Sequence, residues 1–133
     1  MAWEVVLHDE FALEFERLKA GVQDELLAHA LLLRGYGPGL GRPTVDTLKA
    51  SKHANMKELR FSHGKDVWRV AFAFDPLRKA VLLVAGNKAG ADQKLFYKRL
   101  IDSADVRLTQ HLSDVKSVVK TVSKEKQHGK KTG

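Results

Sequence analysis

Apolar residues return along this chain in three different rhythms. Between Asp9 and Arg34 they recur at three- and four-residue intervals: Phe11, Phe15, Leu18 and Val22, then Leu26, Leu27, Ala30, Leu31 and Leu33. That is the spacing of helices with one buried face. Gly21 divides the stretch into two helices, roughly 9–20 and 22–34, with Asp9 as the N-cap of the first and Glu10 in its first turn. Neither helix is apolar all round, so the pattern predicts two antiparallel helices covering one face of a sheet. Trp3–Leu7, ahead of them, is short and rich in β-branched and aromatic residues, which predicts a strand. Residues 35–43 hold four glycines and two prolines, a turn that ends the helices. They lack the spacing of a phosphate-binding loop.

A two-residue rhythm takes over at Met56–Ser62 and Val67–Phe74, and Ala80–Gly86 is a continuous apolar run. Three strands follow from this, joined at 63–66 and 75–78 by connections of hairpin length. Thr44–Asn55 reads as an irregular basic segment carrying Lys49, Lys52 and His53. After a turn at 86–90, Asp92 caps a helix containing Leu95, Phe96, Leu100, Ile101, Val106 and Leu108. The order β-α-α-β-β-β-α predicts an α+β domain with a mostly antiparallel twisted sheet, two N-terminal helices on one face and a C-terminal helix. This domain occupies 1–115, and a basic, flexible tail is expected over 116–133.

Composition narrows the chemistry. The chain has 133 residues and 44% hydrophobic content, enough for one modest core. No cysteine is present, which removes disulfides, thiolate zinc sites and cysteine nucleophiles. No apolar run approaches the roughly 18 residues of a membrane span, and the N-terminus lacks the pattern of a signal peptide. The expectation is a cytoplasmic protein without cofactor or metal. His8, His29, His53, His63, His111 and His128 show no metal-ligand spacing.

Charge is unevenly spread. Residues 1–34 hold seven acids and three bases, a net of −4; subtracting these from the whole-chain net of +7 leaves +11 for 35–133. One face suited to a polyanion and another neutral or acidic is the implication.

Folding the hairpins on paper locates that face. With 63–66 as the connection, Phe61 faces Trp68 and Leu59 faces Val70 on an apolar side, while Arg60 opposes Arg69 and Glu58 opposes Ala71 on the other. With 75–78 as the second connection, Val81 and Leu83 join the apolar side opposite Phe72 and Val70, and Arg69 opposes Val84. Gly86 and Lys88 then fall on the arginine side. Two facing guanidinium groups cannot deprotonate to escape their repulsion. They mark either an anion site, to which an arginine fork is suited, or a cluster neutralised internally by Glu58.

Met56-Lys57-Glu58-Leu59-Arg60-Phe61, followed by Val67-Trp68-Arg69-Val70-Ala71-Phe72, resembles the strand hairpin of the RelE/ParE toxin superfamily. It looks closest to the HigB-like, phage Gp49-like branch. Leu40-Gly41-Arg42-Pro43, Asp46-x-Leu48-Lys49, and Ala85-Gly86-Asn87-Lys88 before a helix with Phe96-Tyr97 support the resemblance, which runs from about Val5 to Leu112. It implies a toxin of a type II toxin–antitoxin system that enters the ribosome and cleaves mRNA through the RNA 2′-hydroxyl without a metal. Its implied partner is a helix-turn-helix antitoxin, through which the complex binds operator DNA. By position, Arg60 and Arg69 match the phosphate-holding strand arginines, Lys88 the basic residue after the next strand, and Tyr97 the C-terminal aromatic. RelE carries a lysine near Glu58, so His53, Lys57 and Glu58 all stay open as the general base. Lys49, Lys52, Lys65, Lys94 and Lys98 are the candidates for contacts with RNA and the ribosome. Two competing readings are a ParE-like gyrase inhibitor and a non-catalytic nucleic-acid-binding module. The focused arginine pair with Lys88 favours cleavage over both.

Overall fold

The computed structural model describes residues 2–132, with side chains described as far as residue 120. Its elements are β1 (Glu4–Leu7), α1 (Asp9–Glu16), α2 (Ala20–Tyr36), β2 (Val45–Thr47), β3 (Lys57–His63), β4 (Asp66–Phe74), β5 (Lys79–Asn87) and α3 (Gln93–Thr132). One sheet runs in the order β1-β5-β4-β3-β2, antiparallel except for the β1–β5 pair. This is the α+β architecture that the pattern predicts, with one additional strand.

That strand, β2, lies in the segment expected to be irregular. Val45-Asp46-Thr47 is too short to show a period, yet it pairs with Leu59, Glu58 and Lys57 as the sheet's outer edge. The cap of α1 also differs from expectation. His8 rather than Asp9 is the N-cap, its Nδ1 accepting the Glu10 N–H at 3.2 Å, while Asp9 and Glu10 both sit in the first turn.

Both faces of the sheet are covered. Phe11 of α1 and Val22, Leu26, Ala30 and Leu33 of α2 pack on Leu59, Phe61, Val70, Phe72, Ala80 and Leu82. On the opposite face Leu100, Ile101, Ala104 and Leu108 of α3 pack on Met56, Ala71, Ala73, Val81 and Leu83. A central strand buried on both faces reads as a continuous apolar run, which explains Ala80–Leu83. Leu95 and Val106 of α3 and Leu27 and Leu31 of α2 stay exposed.

The first hairpin has the register that the alternation predicts, with Ser62 opposite Val67 and Arg60 opposite Arg69. The second does not. Asp75 pairs back to Lys79 around Pro76, Leu77 and Arg78, the last at φ 61°, and a bulge lies between Ala71 and Phe72. Phe72 therefore faces Leu82, Val70 faces Ala85 and Arg69 faces Gly86. Val81 and Leu83 consequently lie on the α3 face, not on the apolar side with Phe72 as expected. A bulge inserts one residue and restores the parity that the turn removes, so Gly86 still ends up beside the arginines.

Polar pins hold α3 to the sheet. Arg107 donates to Glu10 (3.0 Å), to both Glu14 oxygens (2.7 and 2.6 Å) and to the Leu83 carbonyl (2.7 Å). His111 meets Asp75 at 2.8 Å, and the buried Asp75 also accepts the Leu77 and Lys79 N–H groups of the β4–β5 turn. The expected tail over 116–133 begins inside α3, and from residue 121 its side chains lie outside the described residues.

Candidate functional site

Alternation along β3 sends Leu59 and Phe61 toward α2 and Glu58 and Arg60 toward the α3 face. Arg69 stands opposite Arg60 on β4, and Gly86 opposite Arg69 on β5. Gly86 has a local reason to be glycine: a Cβ there would come within 2.8 Å of the Phe96 ring. Its absence lets the first turns of α3 settle against the sheet next to the arginines, which brings in Tyr97.

Glu58 is the hub of the cluster. Its residue is 2% exposed, and Oε1 accepts from Arg60 Nε at 2.8 Å and from the Tyr97 hydroxyl at 3.2 Å. Arg69 Nε lies 3.7 Å from the same oxygen, while Arg69 Nη1 donates to the Trp68 carbonyl at 2.9 Å. The carboxylate thus sits between the two guanidinium groups and offsets the repulsion the register creates. Both Glu58 Oε2 and Arg69 Nε are buried without a hydrogen-bond partner, so the cluster is not fully satisfied within the protein.

Lys88 joins from the turn after β5. Asn87 Oδ1 accepts the Val67 and Ala89 N–H groups, both at 3.1 Å, and Gly90 takes φ 70°, which closes the turn toward Asp92. Asp92 caps α3 as the sequence predicts, accepting the Leu95 N–H at 2.8 Å. Lys88 Nζ is 5.6 Å from the Tyr97 ring centroid. Burial depresses the Lys88 ammonium below its ordinary range, and the charge of Arg69 adds to this. Burial raises the Tyr97 phenol, with Arg69 pulling the other way. Arg60 is held protonated first by its hydrogen bond to Glu58.

Arg60, Arg69, Lys88, Tyr97 and Glu58 therefore share one site. Lys57 does not, because strand alternation turns it to the other sheet face from Glu58. His53 is tied elsewhere: its ring nitrogen Nε2 is 2.9 Å from Thr109 Oγ1, and Thr109 lies twelve residues, about 18 Å of helix, beyond Tyr97. Ser51 and Lys52 bond Asp105 in the same latch, which fixes the segment before β3 on α3. Lys49, Lys52, Lys65, Lys94 and Lys98 are exposed, with Lys98 3.1 Å from Asp102.

Asp46 was missed. It sits opposite Glu58 on β2, 3.6 Å from Arg60 and 3.4 Å from Arg42, and the Thr47 N–H lowers its carboxyl below the usual range before the two arginines add their part. The β-branched neighbours Val45 and Thr47 were the signal that this acid belonged to a strand. Glu58 and Asp46 against Arg42, Arg60, Arg69 and Lys88 leave the cluster with more bases than acids. Among the described residues no group of three or more His, Asp or Glu is placed to hold a metal ion.

Comparison with known proteins bears on the family and the fold. A family model described as phage-derived Gp49-like protein matches residues 13–109. Two Mycobacterium tuberculosis proteins named as candidate toxins are similar. HigB2 is 48% identical over 83 residues, 62% of this chain and 41% of the relative; HigB3 is 50% identical over 76 residues, 57% and 64%. The match spans less than two thirds of either relative's length. A structure of the E. coli toxin RelE, a double arginine-to-alanine mutant in the free state, superposes with a TM-score of 0.55 at 10% identity. It covers 76% of this chain and 95% of RelE, and shows a shared fold. The chain belongs to the phage-derived Gp49-like family, with the fold of RelE, as the β3–β4 hairpin motif led one to expect.

Proposed function

We propose that this chain is the toxin of a toxin–antitoxin pair and cuts mRNA at the ribosome, with the RNA's own 2′-hydroxyl as nucleophile. One observation carries the reading: Arg60 faces Arg69 across the hairpin while Lys88 and Tyr97 converge on the same side. Attack of the 2′-oxygen on its neighbouring phosphorus needs a proton acceptor, stabilisation of charge on the phosphorane and a proton donor for the leaving 5′-oxygen. Arg69 and Arg60 hold the non-bridging oxygens, doing with fixed cations what a metal ion does elsewhere. Tyr97 takes the 2′-hydroxyl proton as its own, already shared with Glu58, passes to that carboxylate. Lys88, with its depressed ammonium, protonates the 5′-oxygen. The O2′–P bond forms, the P–O5′ bond breaks, and the products carry a 2′,3′-cyclic phosphate and a 5′-hydroxyl.

Of the three open candidates for the base, Glu58 alone shares the cluster, which supports giving it the final proton. The likeness to proteins named as toxins supports an antitoxin partner. A helix-turn-helix antitoxin that binds operator DNA for the pair, and action among cytoplasmic ribosomes, are part of the same proposal. No helix among the described residues is long and apolar enough to cross a membrane. The test is end chemistry on programmed ribosomes. Fragments with cyclic phosphate and 5′-hydroxyl ends, absent with Arg69→Ala, are expected; fragments with 5′-phosphates would contradict the mechanism. Arrested replication with intact mRNA would instead favour gyrase as the target.

A further inference from the structure

β3 is open along part of its outer edge. β2 covers it from Lys57 to Leu59, and the Thr44 carbonyl takes the Arg60 N–H at 2.8 Å. In a strand, the backbone groups of alternate residues point the same way. Ser62, two positions past Arg60, therefore presents its N–H and C=O to a side with no strand among the described residues. An open groove of about 390 Å3 runs over this edge, lined by His29, Thr44, Arg60, Phe61, Ser62 and Arg69 among others. It begins at the two arginines and reaches α2. There the His29 ring lies against Phe61, with centroids 5.4 Å apart and planes at 27°. His29 Nδ1 is 2.7 Å from the Glu25 carbonyl, which can only accept. Nδ1 therefore carries the hydrogen, and in the neutral ring Nε2 is left as an acceptor.

We infer that this groove is a nucleobase subsite: the nucleotide whose phosphate sits at Arg60 and Arg69 lays its base over the open β3 edge. The inference rests on the reading of the chain as an RNA-cutting protein and extends it to base choice. Charge complementarity fixes the occupant's class, because the arginines at one end call for a phosphate. The rest of the open groove pairs the apolar Pro43, Phe61 and Val67 with the polar His29, Thr44 and Ser62, a mixture that suits the face and edge of a base. Unstacked RNA bases are recognised by stacking on rings and by hydrogen bonds to their edges. Here the Ser62 edge supplies one donor and one acceptor, and His29 Nε2 a second acceptor. Two acceptors suit a base with an exocyclic amine. Uracil, with its single N3–H, leaves one acceptor unpaired, and an unpaired desolvated acceptor is costly.

The test uses ribosomes programmed with messages that differ only at the nucleotide next to the cut. The full chain is expected to cut the uracil message about tenfold more slowly than the adenine or cytosine message. His29→Phe keeps a ring against Phe61 but removes Nε2, and Ser62→Pro removes the edge N–H at a position where proline is tolerated. Each should bring the ratio toward one, with circular dichroism verifying the fold. Equal cutting by the wild type, or both variants keeping the full ratio, overturns the inference. A readout without cutting separates it from the functional reading. Titrating the wild type with uncleavable 2′-deoxy trinucleotides should shift the His29 ring and Ser62 amide signals in NMR spectra, more with cytosine than with uracil in the middle. Shifts confined to other residues overturn the subsite, and so would a peptide strand that pairs at Ser62 when no oligonucleotide does.

Discussion

Glu58 holds together a group of charges that would otherwise push apart. It is buried, it receives Arg60 and Tyr97 on one oxygen, and it lies beside Arg69. Removing it with Glu58→Ala leaves the two facing guanidinium groups with only Asp46, 3.6 Å from Arg60, to offset them, and no acid beside Arg69 among the described residues. Breaking a buried pair in this way costs about 3–5 kcal/mol, to be read from urea unfolding; a loss under about 1 kcal/mol would show that the cluster does not depend on it. Arg69→Ala has the opposite signature. Glu58 keeps Arg60 and Tyr97, so the fold should survive, while the missing stabilisation of the transition state lowers the rate about 100- to 1,000-fold. Lys88 gives the pH dependence. Burial and Arg69 put its pKa below the ordinary 10.5. If the ammonium is the acid, cleavage should fall as pH rises through that lowered value, and Lys88→Arg should move the fall to higher pH. A bound phosphate favours the charged form, so the Lys88 signal in an NMR titration should move upward with added phosphate. The arginine pair was legible in the sequence because β alternation and a two-residue turn at Gly64 and Lys65 leave one register. His53 was not placeable, since a histidine outside any period carries no signal of which helix it will meet.

Elements in this protein are positioned by close approach and by polar pins. Gly86 allows α3 to lie against β5, and Gly86→Ala would drive a methyl group into Phe96. The expected result is a displaced first turn of α3, a misplaced Tyr97 and reduced cleavage with little change in global stability; unchanged cleavage would show that the approach is not needed. Arg107 joins α3 to α1 and to the Leu83 carbonyl. Its carboxylate partners are largely exposed, so Arg107→Ala should cost only about 1–2 kcal/mol, measured by the urea midpoint. The helices, β3 and β4 were readable from their periods and β5 from its apolar run. The two N-terminal helices nevertheless part at residues 17–19, not at Gly21, which lies in the first turn of α2. The bulge between Ala71 and Phe72 was not, because each of Val81, Leu82, Leu83 and Val84 fits either face of a doubly covered sheet. β2 escaped for a related reason: three residues cannot establish a rhythm.

At the scale of the whole molecule, the charge is divided between an acidic N-terminal quarter and a basic remainder. Residues 116–133 add six lysines against one acid, beyond the site. Truncation after Val115 should reduce the salt slope of ribosome binding by about 0.7–0.9 for each RNA phosphate that the tail neutralises. Cleavage positions should stay the same; altered positions would make the tail part of the site. The central claim, that the facing arginines on β3 and β4 serve RNA cleavage during translation, is tested most directly in cells. Induction of the wild type and of Arg69→Ala, each with and without a block on translation, is followed by mapping mRNA 5′ ends. New ends within coding regions that appear only with the wild type and only during translation are the predicted result. The same ends with Arg69→Ala, or with translation blocked, would contradict it.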